Sequence, residues 1–242
     1  MKVISMHKVT AAMEAGERPG TDVIQGMGQL IGELRRNDAF VDGAGLLPSA
    51  TRVRLRFAGG RRTVQKGPYA GGNELVAAML MLKTRDMDEA IAWATRYAAA
   101  VGDADLELEI GPVTEAWDLG IMARPADAPL RSLVLHKADA DSEAGRSPSP
   151  AGAAALAKLT EEMRAAGALL AHERVRPSRE GARVRVAGKK TTIVDGPFAE
   201  SKELIAGYLI MNVDSLAATR PYTARFADVI GDVEMDVLPL HD

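Results

Sequence analysis

The 242-residue sequence predicts an α+β fold of two similar units, each a βαββαβ chain with an inserted hairpin, packed as a pseudo-dimer within one chain. Three observations carry this: a residue pattern shared by the two halves, helix and strand signals in the same order in each, and enough apolar sequence for two cores. The repeat sets the boundaries. His7-Lys8 recurs 129 residues later as His136-Lys137, and the same offset carries Glu14-Ala15-Gly16 onto Glu143-Ala144-Gly145. It carries Pro48-Ser49 onto Pro177-Ser178, Arg54-x-Arg56-x-Ala58-Gly59 onto Arg183-x-Arg185-x-Ala187-Gly188, and Gly67-Pro68 onto Gly196-Pro197. Glu74-Leu75 falls on Glu203-Leu204 and Gly102-Asp103 on Gly231-Asp232, with no gap needed to about residue 108. The period is far longer than that of solenoid repeats, so the pattern reads as duplication of a whole domain: residues 1–111 and 131–242. The joint, 112–130, contains Pro112, Gly120, Pro125 and Pro129, which is linker chemistry. Fully extended it would reach on the order of 60 Å.

The elements follow in order. In the second half, Ser132–His136 is β-rich and reads as a buried strand. Ser149 as N-cap, Pro150 at the first helical position and Gly167 beyond an Ala-rich run predict a helix ending near Ala166. Ala168–Arg176 reads as a strand. Arg183–Val186 alternates, turns at Gly188-Lys189 and returns through Thr191–Val194, predicting a hairpin. Leu204–Val213 is an apolar strand, Asp214 or Ser215 caps a second helix that Pro221 should delay or kink, and Glu234–Leu238 closes as a strand. The first half repeats this order, with a cleaner second helix at Met87–Val101. Without the hairpin this is the ferredoxin-like split βαβ order. One open sheet of that kind leaves an apolar face uncovered, and two stacked face to face would cover both.

Composition excludes several function classes. With Cys at 0 there is no disulfide framework, thiolate nucleophile or Cys-based zinc site. The four histidines, His7, His136, His172 and His241, are too scattered for an HExxH-type ligand pair; carboxylates could still hold a metal, but neither a metal nor any other cofactor is expected. A net charge of −3 and 4% aromatic residues argue against nucleic acid and against an anionic membrane surface as partners. No apolar run approaches the roughly 20 residues that span a bilayer. The MKVISMHKV start reads as a first strand, so the expected compartment is the cytoplasm.

Residues 195–208 read DGPFAESKELIAGY, and this stretch resembles the signature of the YCII-related family, in the branch named for its DGPF motif. The resemblance extends through the LHKADADSEAG opening and the RVRVAGKKTTIVDGPF hairpin, and covers nearly all of each half. It implies a dimeric α+β barrel of ferredoxin-like units, small bacterial relatives of mostly unassigned activity, and a wider superfamily with a few lyases or isomerases acting on small cyclic substrates. A His–Asp pair has been proposed as catalytic in some. The first half departs from the motif as KGPYAGGNEL: Lys66 replaces the Asp, Tyr69 the Phe, and Gly71, Gly72 and Asn73 replace Glu200, Ser201 and Lys202.

This separates two kinds of residue. Gly67, Pro68, Gly196 and Pro197 persist in both halves and read as structural. Asp195 is either an Asx-turn residue that starts the Gly-Pro turn or a general base or His-orienting partner. His136 and His7 end the first strand of each half, as proton-transfer groups or as imidazoles bonded to backbone; across a pseudo-dimer His7 could serve the other half's site. Glu200, Lys202 and Phe198 are candidate binding residues, the first two alternatively part of a solvated loop with Glu203, and Phe198 alternatively core. Arg183 and Arg185, like Arg54 and Arg56, read as a hairpin solvent face or an anion-binding face. His172 and His241 attract no role. Two functions stay open: a cofactor-free enzyme doing lyase- or isomerase-type proton transfer on a small organic molecule, with Asp195 and His136 as acid/base pair, or a non-catalytic module that binds a small ligand or another protein. The expected partners are a small molecule and the chain itself, through sheet faces within the chain, with a further homodimer left open.

Overall fold

The computed structural model describes residues 1–102, 105–198 and 201–241. Its strands are β1 (Lys2–Lys8), β2 (Phe40–Gly45), β3 (Val53–Ala58), β4 (Arg61–Lys66), β5 (Val76–Thr84), β6 (Leu106–Pro112), β7 (Leu130–Lys137), β8 (Leu169–Arg174), β9 (Ala182–Ala187), β10 (Lys190–Asp195), β11 (Ile205–Asn212) and β12 (Val233–Pro239). Its helices are α1 (Ala11–Glu14), α2 (Thr21–Arg36), α3 (Met87–Val101), α4 (Ala140–Glu143), α5 (Pro150–Ala165) and α6 (Arg220–Ile230). Local chemistry explains the long helices. Asp86 caps α3 by accepting from the Glu89 N–H, and Gly102 ends it in the left-handed region at φ 80°. Ser149 caps α5 through the Gly152 N–H, with Pro150 at its first position. Ser215 caps only a 3-10 turn, Leu216–Thr219, and Pro221 lies in the first turn of the α6 that follows. The short α1 and α4 are additions to the expected order; Thr10 and Asp139 cap them.

The strands form two antiparallel six-stranded sheets. One, the central sheet, runs β4-β3-β6-β7-β5-β8 and uses only residues 53–174; the other, the terminal sheet, runs β10-β9-β12-β1-β11-β2 and joins the two ends of the chain. Each sheet therefore mixes strands from both halves of the sequence. The segment after β6 does not bridge a long distance: β6 and β7 are neighbours, with Pro112 opposite Ser132. The hairpin and last strand also show where the repeat slips. Arg54 lies opposite Glu109, whereas Arg183 lies opposite Asp236, so the offset of 129 has fallen to 127 by the last strand. The ungapped match to about residue 108 is corrected accordingly: two residues are lost between Gly231 and Val233 relative to Gly102 and Leu106.

The layers are helix, sheet, sheet, helix. Ile4, Met6, Ile210 and Leu238 of the terminal sheet meet Met79, Met81, Leu133 and Leu135 of the central sheet in an apolar core between the sheets. On their outer faces, Val3, Met211 and Met235 pack under Leu30 and Leu34 of α2 and Phe226 of α6. Leu80, Leu108 and Val134 pack under Tyr97 of α3 and Leu159 and Met163 of α5. Strand alternation assigns the faces: Ile4, Met6 and Lys8 look between the sheets, while Val3, Ser5 and His7 look toward the helices. The sheets close on each other at two places, through the Leu46–Val113 and Val175–Leu240 bridges. Among the described residues no helix is long and apolar enough to cross a membrane.

Candidate functional site

Two buried ionic clusters lie between the sheets, where the strand ends meet the two glycine-proline loops. The first is closed. Glu74 accepts from Arg54 Nη2 at 3.0 Å and from the Gly72 N–H at 2.8 Å, and pairs with Lys137. Glu109 meets Arg52 at 2.9 Å, Arg54 at 2.8 Å and Lys137 at 3.3 Å. Burial alone would raise the Glu109 pKa, but Lys137, Arg52 and Arg54 outweigh it and hold it at about 2. Glu107 adds a third carboxylate at 3.3 Å from Arg54 Nε, and the Tyr69 ring lies 4.2 Å below the Arg54 guanidinium.

The second cluster has the same plan with one carboxylate and one arginine fewer, Gly181 standing where the repeat places Arg52. Lys8 Nζ sits 2.7 Å from Asp236, with both side chains almost wholly buried (3% and 1% exposed). Arg183 grips Asp236 with two nitrogens, at 2.6 and 3.2 Å, and its guanidinium lies 4.7 Å over the Phe198 ring. Burial would lower the Arg183 pKa, but Asp236 and Glu234 raise it on balance. Arg185 pairs with Glu234 at 3.1 Å. Glu203, which takes the strand-entry place of Glu74, is exposed instead of buried. Beside it opens a hollow of about 220 Å³ lined by Lys8, Thr10, Arg185, Glu203, Asp232 and Glu234. Among the described residues Asp236 is the one carboxylate within salt-bridge distance of Lys8 Nζ.

The motif turns are held from below by a clasp that repeats in both halves. Ser178 donates its hydroxyl to Glu143, its N–H also reaches Glu143 at 3.2 Å, and its hydroxyl accepts the Phe198 N–H at 3.2 Å. Ser49, Glu14 and the Tyr69 N–H make the same set. A side chain on Gly196 would run into the Ser178 carbonyl, and one on Gly67 into that of Ser49. Gly196→Ala is accordingly expected to cost about 2 kcal/mol through this backbone overlap, read as a shift in a urea unfolding midpoint; an unchanged midpoint would contradict the packing. Gly71 passes the Lys202 carbonyl with no room for a Cβ, and the Glu74 N–H donates to the Ser201 carbonyl at 3.0 Å. Gly71, one of the two glycines that distinguish the first loop, thus lets the second loop cross it.

Asp195 and the histidines are placed apart. Asp195 ends the exposed edge strand β10 opposite Ala182, whose row continues through Val237 to Ser5. It is therefore three strands, about 14 Å, from β1 and two residues out of line with His7. His136 belongs to the other sheet. His7 faces α6, 4.9 Å from the Phe226 ring, on a cavity of about 10 Å³ shared with Ser5, Tyr222 and Thr223. Burial, with Lys8 and Arg52 nearby, pulls its pKa to about 4. His136 Nδ1 lies 3.2 Å from the Tyr97 hydroxyl; burial lowers it to about 4 against the opposing pull of Asp139. His172, for which no role is expected, packs edge-on to the same Tyr97 ring at 5.9 Å and is also lowered to about 4, by burial and by Arg164 and Arg174. Lys202 is exposed, and Glu200 lies outside the described residues. Arg54 is buried, not on a solvent face, while Arg56 two residues on is exposed: the motif loop covers the hairpin's base and leaves its tip free.

Residues 131–229 match the YCII-related domain. No curated protein and no solved structure matches the chain. The matched stretch supplies β7 and β8 to the central sheet and β9, β10 and β11 to the terminal one. Arg183, Arg185 and Glu203 of the open cluster come from this YCII-related stretch, whereas Lys8, Glu234 and Asp236 lie outside it. No described group of three or more histidines and carboxylates is placed to hold a metal ion.

Proposed function

We propose that this YCII-related protein is a tandem duplication of the DGPF branch, folded as an intrachain pseudo-dimer of ferredoxin-like units, and that it binds a small organic molecule in the hollow beside Lys8. The β5-α3-β6-β7-α5-β8 order supports the ferredoxin-like reading, and the two closing bridges support an α+β barrel. The observation that carries the binding reading is Lys8: a buried ammonium with one carboxylate partner, at the wall of an open hollow whose counterpart elsewhere in the molecule is filled. The separation of Asp195 from His7 and His136 favours binding over acid/base chemistry by those three residues.

A thermal-shift screen of small neutral, cationic and anionic organic molecules tests this. Binders are expected to stabilise the wild type and the exposed Asp195→Asn variant alike, and to lose their effect in Lys8→Met. Binding that survives Lys8→Met but disappears in Asp195→Asn would move the site to the motif turn and sink the reading.

A further inference from the structure

The two sheets have four edges, and they are not protected alike. β2 and β8 run at their ends into the Leu46–Val113 and Val175–Leu240 bridges, which tie those edges to the opposite sheet. β4 and β10 are the remaining edges, and every residue of both is exposed. An open edge offers unpaired N–H and C=O groups to a second strand, and charged side chains are a common guard against that. β4 has the guard: its sequence RRTVQK carries Arg61, Arg62 and Lys66 and no carboxylate. β10 lacks it. Its sequence KTTIVD places four uncharged strand formers, Thr191 to Val194, between Lys190 and Asp195. Ile193 and Val194 are 38% and 53% exposed.

The backbone of β10 decides which of its groups are open. The Gly196 N–H donates to the Gly181 carbonyl and continues the ladder with β9. By alternation Val194, Thr192 and Lys190 turn their backbone groups to β9, while Thr191, Ile193 and Asp195 turn theirs outward. Two copies of β10 satisfy these outward groups by pairing antiparallel about a two-fold axis at Thr192. Thr191 of each copy then faces Ile193 of the other, and the turn residue Lys189 of each faces Asp195 of the other. Moving the axis to Ile193 would instead set Lys189 against Pro197, which has no N–H to give. With the axis at Thr192, opposite charges meet at both ends. The row Val184–Ile193 is continued by Thr191 and Val186 of the second copy, which covers the exposed flank of Ile193. The equivalent pairing of β4, about Thr63, gathers Arg61, Arg62 and Lys66 from two copies with no carboxylate on either strand.

From this contrast we infer that the β10 edge is an interaction surface for a second copy of this chain, joining two terminal sheets into one continuous antiparallel sheet. One strand pair buries little surface, so the association is weak and reversible. The hollow beside Lys8 is lined from β9 and not from β10, so it stays open in the pair.

Sedimentation equilibrium of the full chain from about 1 µM to about 1 mM tests this, with amide hydrogen exchange at both ends of the range. The dimer fraction is expected to rise with concentration, and exchange to slow at Thr191 and Ile193 while Val64 of β4 stays unchanged. Lys189→Asp and Asp195→Lys change exposed positions, so both variants should fold as the wild type does. Each sets like charges at both ends of the pair and should weaken the dimer about tenfold. An equimolar mixture of the two variants should recover it, because every changed end then meets an opposite charge. A chain that remains monomeric to the top of the range would overturn the inference. A dimer that neither variant weakens, or protection at Val64 in place of Ile193, would put the contact elsewhere and overturn it equally. A mixture no more associated than either variant alone would overturn the antiparallel pairing of β10 with itself.

Discussion

Replacing Glu109 with alanine is expected to destabilise the protein by about 3–5 kcal/mol, the range for removing one partner from a buried ionic network. Glu109 is fully buried and is the shared partner of Arg52, Arg54 and Lys137. Its loss leaves Arg52, itself 1% exposed, with only the carbonyls of Leu47 and Ile205. It also leaves Lys137 and Arg54 sharing Glu74, so three buried cations face one buried carboxylate. No rearrangement brings water to them cheaply, because the cluster lies between two sheets and under two crossed loops. For a chain of this size the loss corresponds to a fall of roughly 10 °C in Tm. Guanidinium unfolding of Glu109→Ala and Glu109→Gln measures it, with the amide expected to lose less because it fills the space and keeps one acceptor oxygen for one of the two arginines. Arg85→Ala, which removes an exposed pair with Glu89, should give no measurable change. A Glu109→Ala loss no larger than that of Arg85→Ala would mean that the cluster is solvated.

The elements of this fold were legible because their signals are local. Asp86 and Gly102 bracket one helix, Ser149 and Pro150 open another, and Pro221 delays a third by one short turn. The exchange of strands between halves was not legible, and the repeat itself is the reason. β1 and β7 carry nearly the same alternation, so pattern alone cannot say which of them pairs with β11. That choice is made by the connection after β6, which returns through residues 113–129 to set β7 alongside it. The clusters were hidden for a related reason. Arg54 and Arg56 are two residues apart on one face and look equivalent in sequence, yet burial differs because a loop distant in sequence covers only the first. Nothing local marks Lys8 as buried; its burial needs Asp236 from the far end of the chain. The recurring Glu14, Glu143, Ser49 and Ser178 were visible as repeats, but their clasp on the motif turns needs the fold. The motif is conspicuous in the sequence, yet the fold leaves its Asp195 on an exposed edge.

Acidification from pH 7 to pH 5 should weaken the fold by roughly 6 kcal/mol, about 2 kcal/mol from each of three histidines. His7, His136 and His172 titrate near 4 in the folded chain, against 6.5 for an exposed imidazole. Between those values the unfolded chain binds protons that the folded chain refuses, so stability is full above pH 6.5 and falls as the pH drops toward 4. Each histidine contributes a slope of about 1.4 kcal/mol per pH unit within that window. The carboxylates act lower down. Glu109, Asp139 and Asp236 have lowered pKa values, so their contribution is intact above the ordinary carboxylate range and is lost only beneath it. The upper window therefore reports the histidines alone. The physical cause is common to the three: each imidazole is buried against a sheet face under a helix, and burial penalises its charged form. Urea unfolding at several pH values between 7 and 4.5 gives the slope directly. His172→Gln should remove about a third of it, and His136→Gln a similar share. A stability that stays flat from pH 7 to pH 5 would show that these rings accept protons in the folded state, and that water reaches the sheet faces beneath the helices.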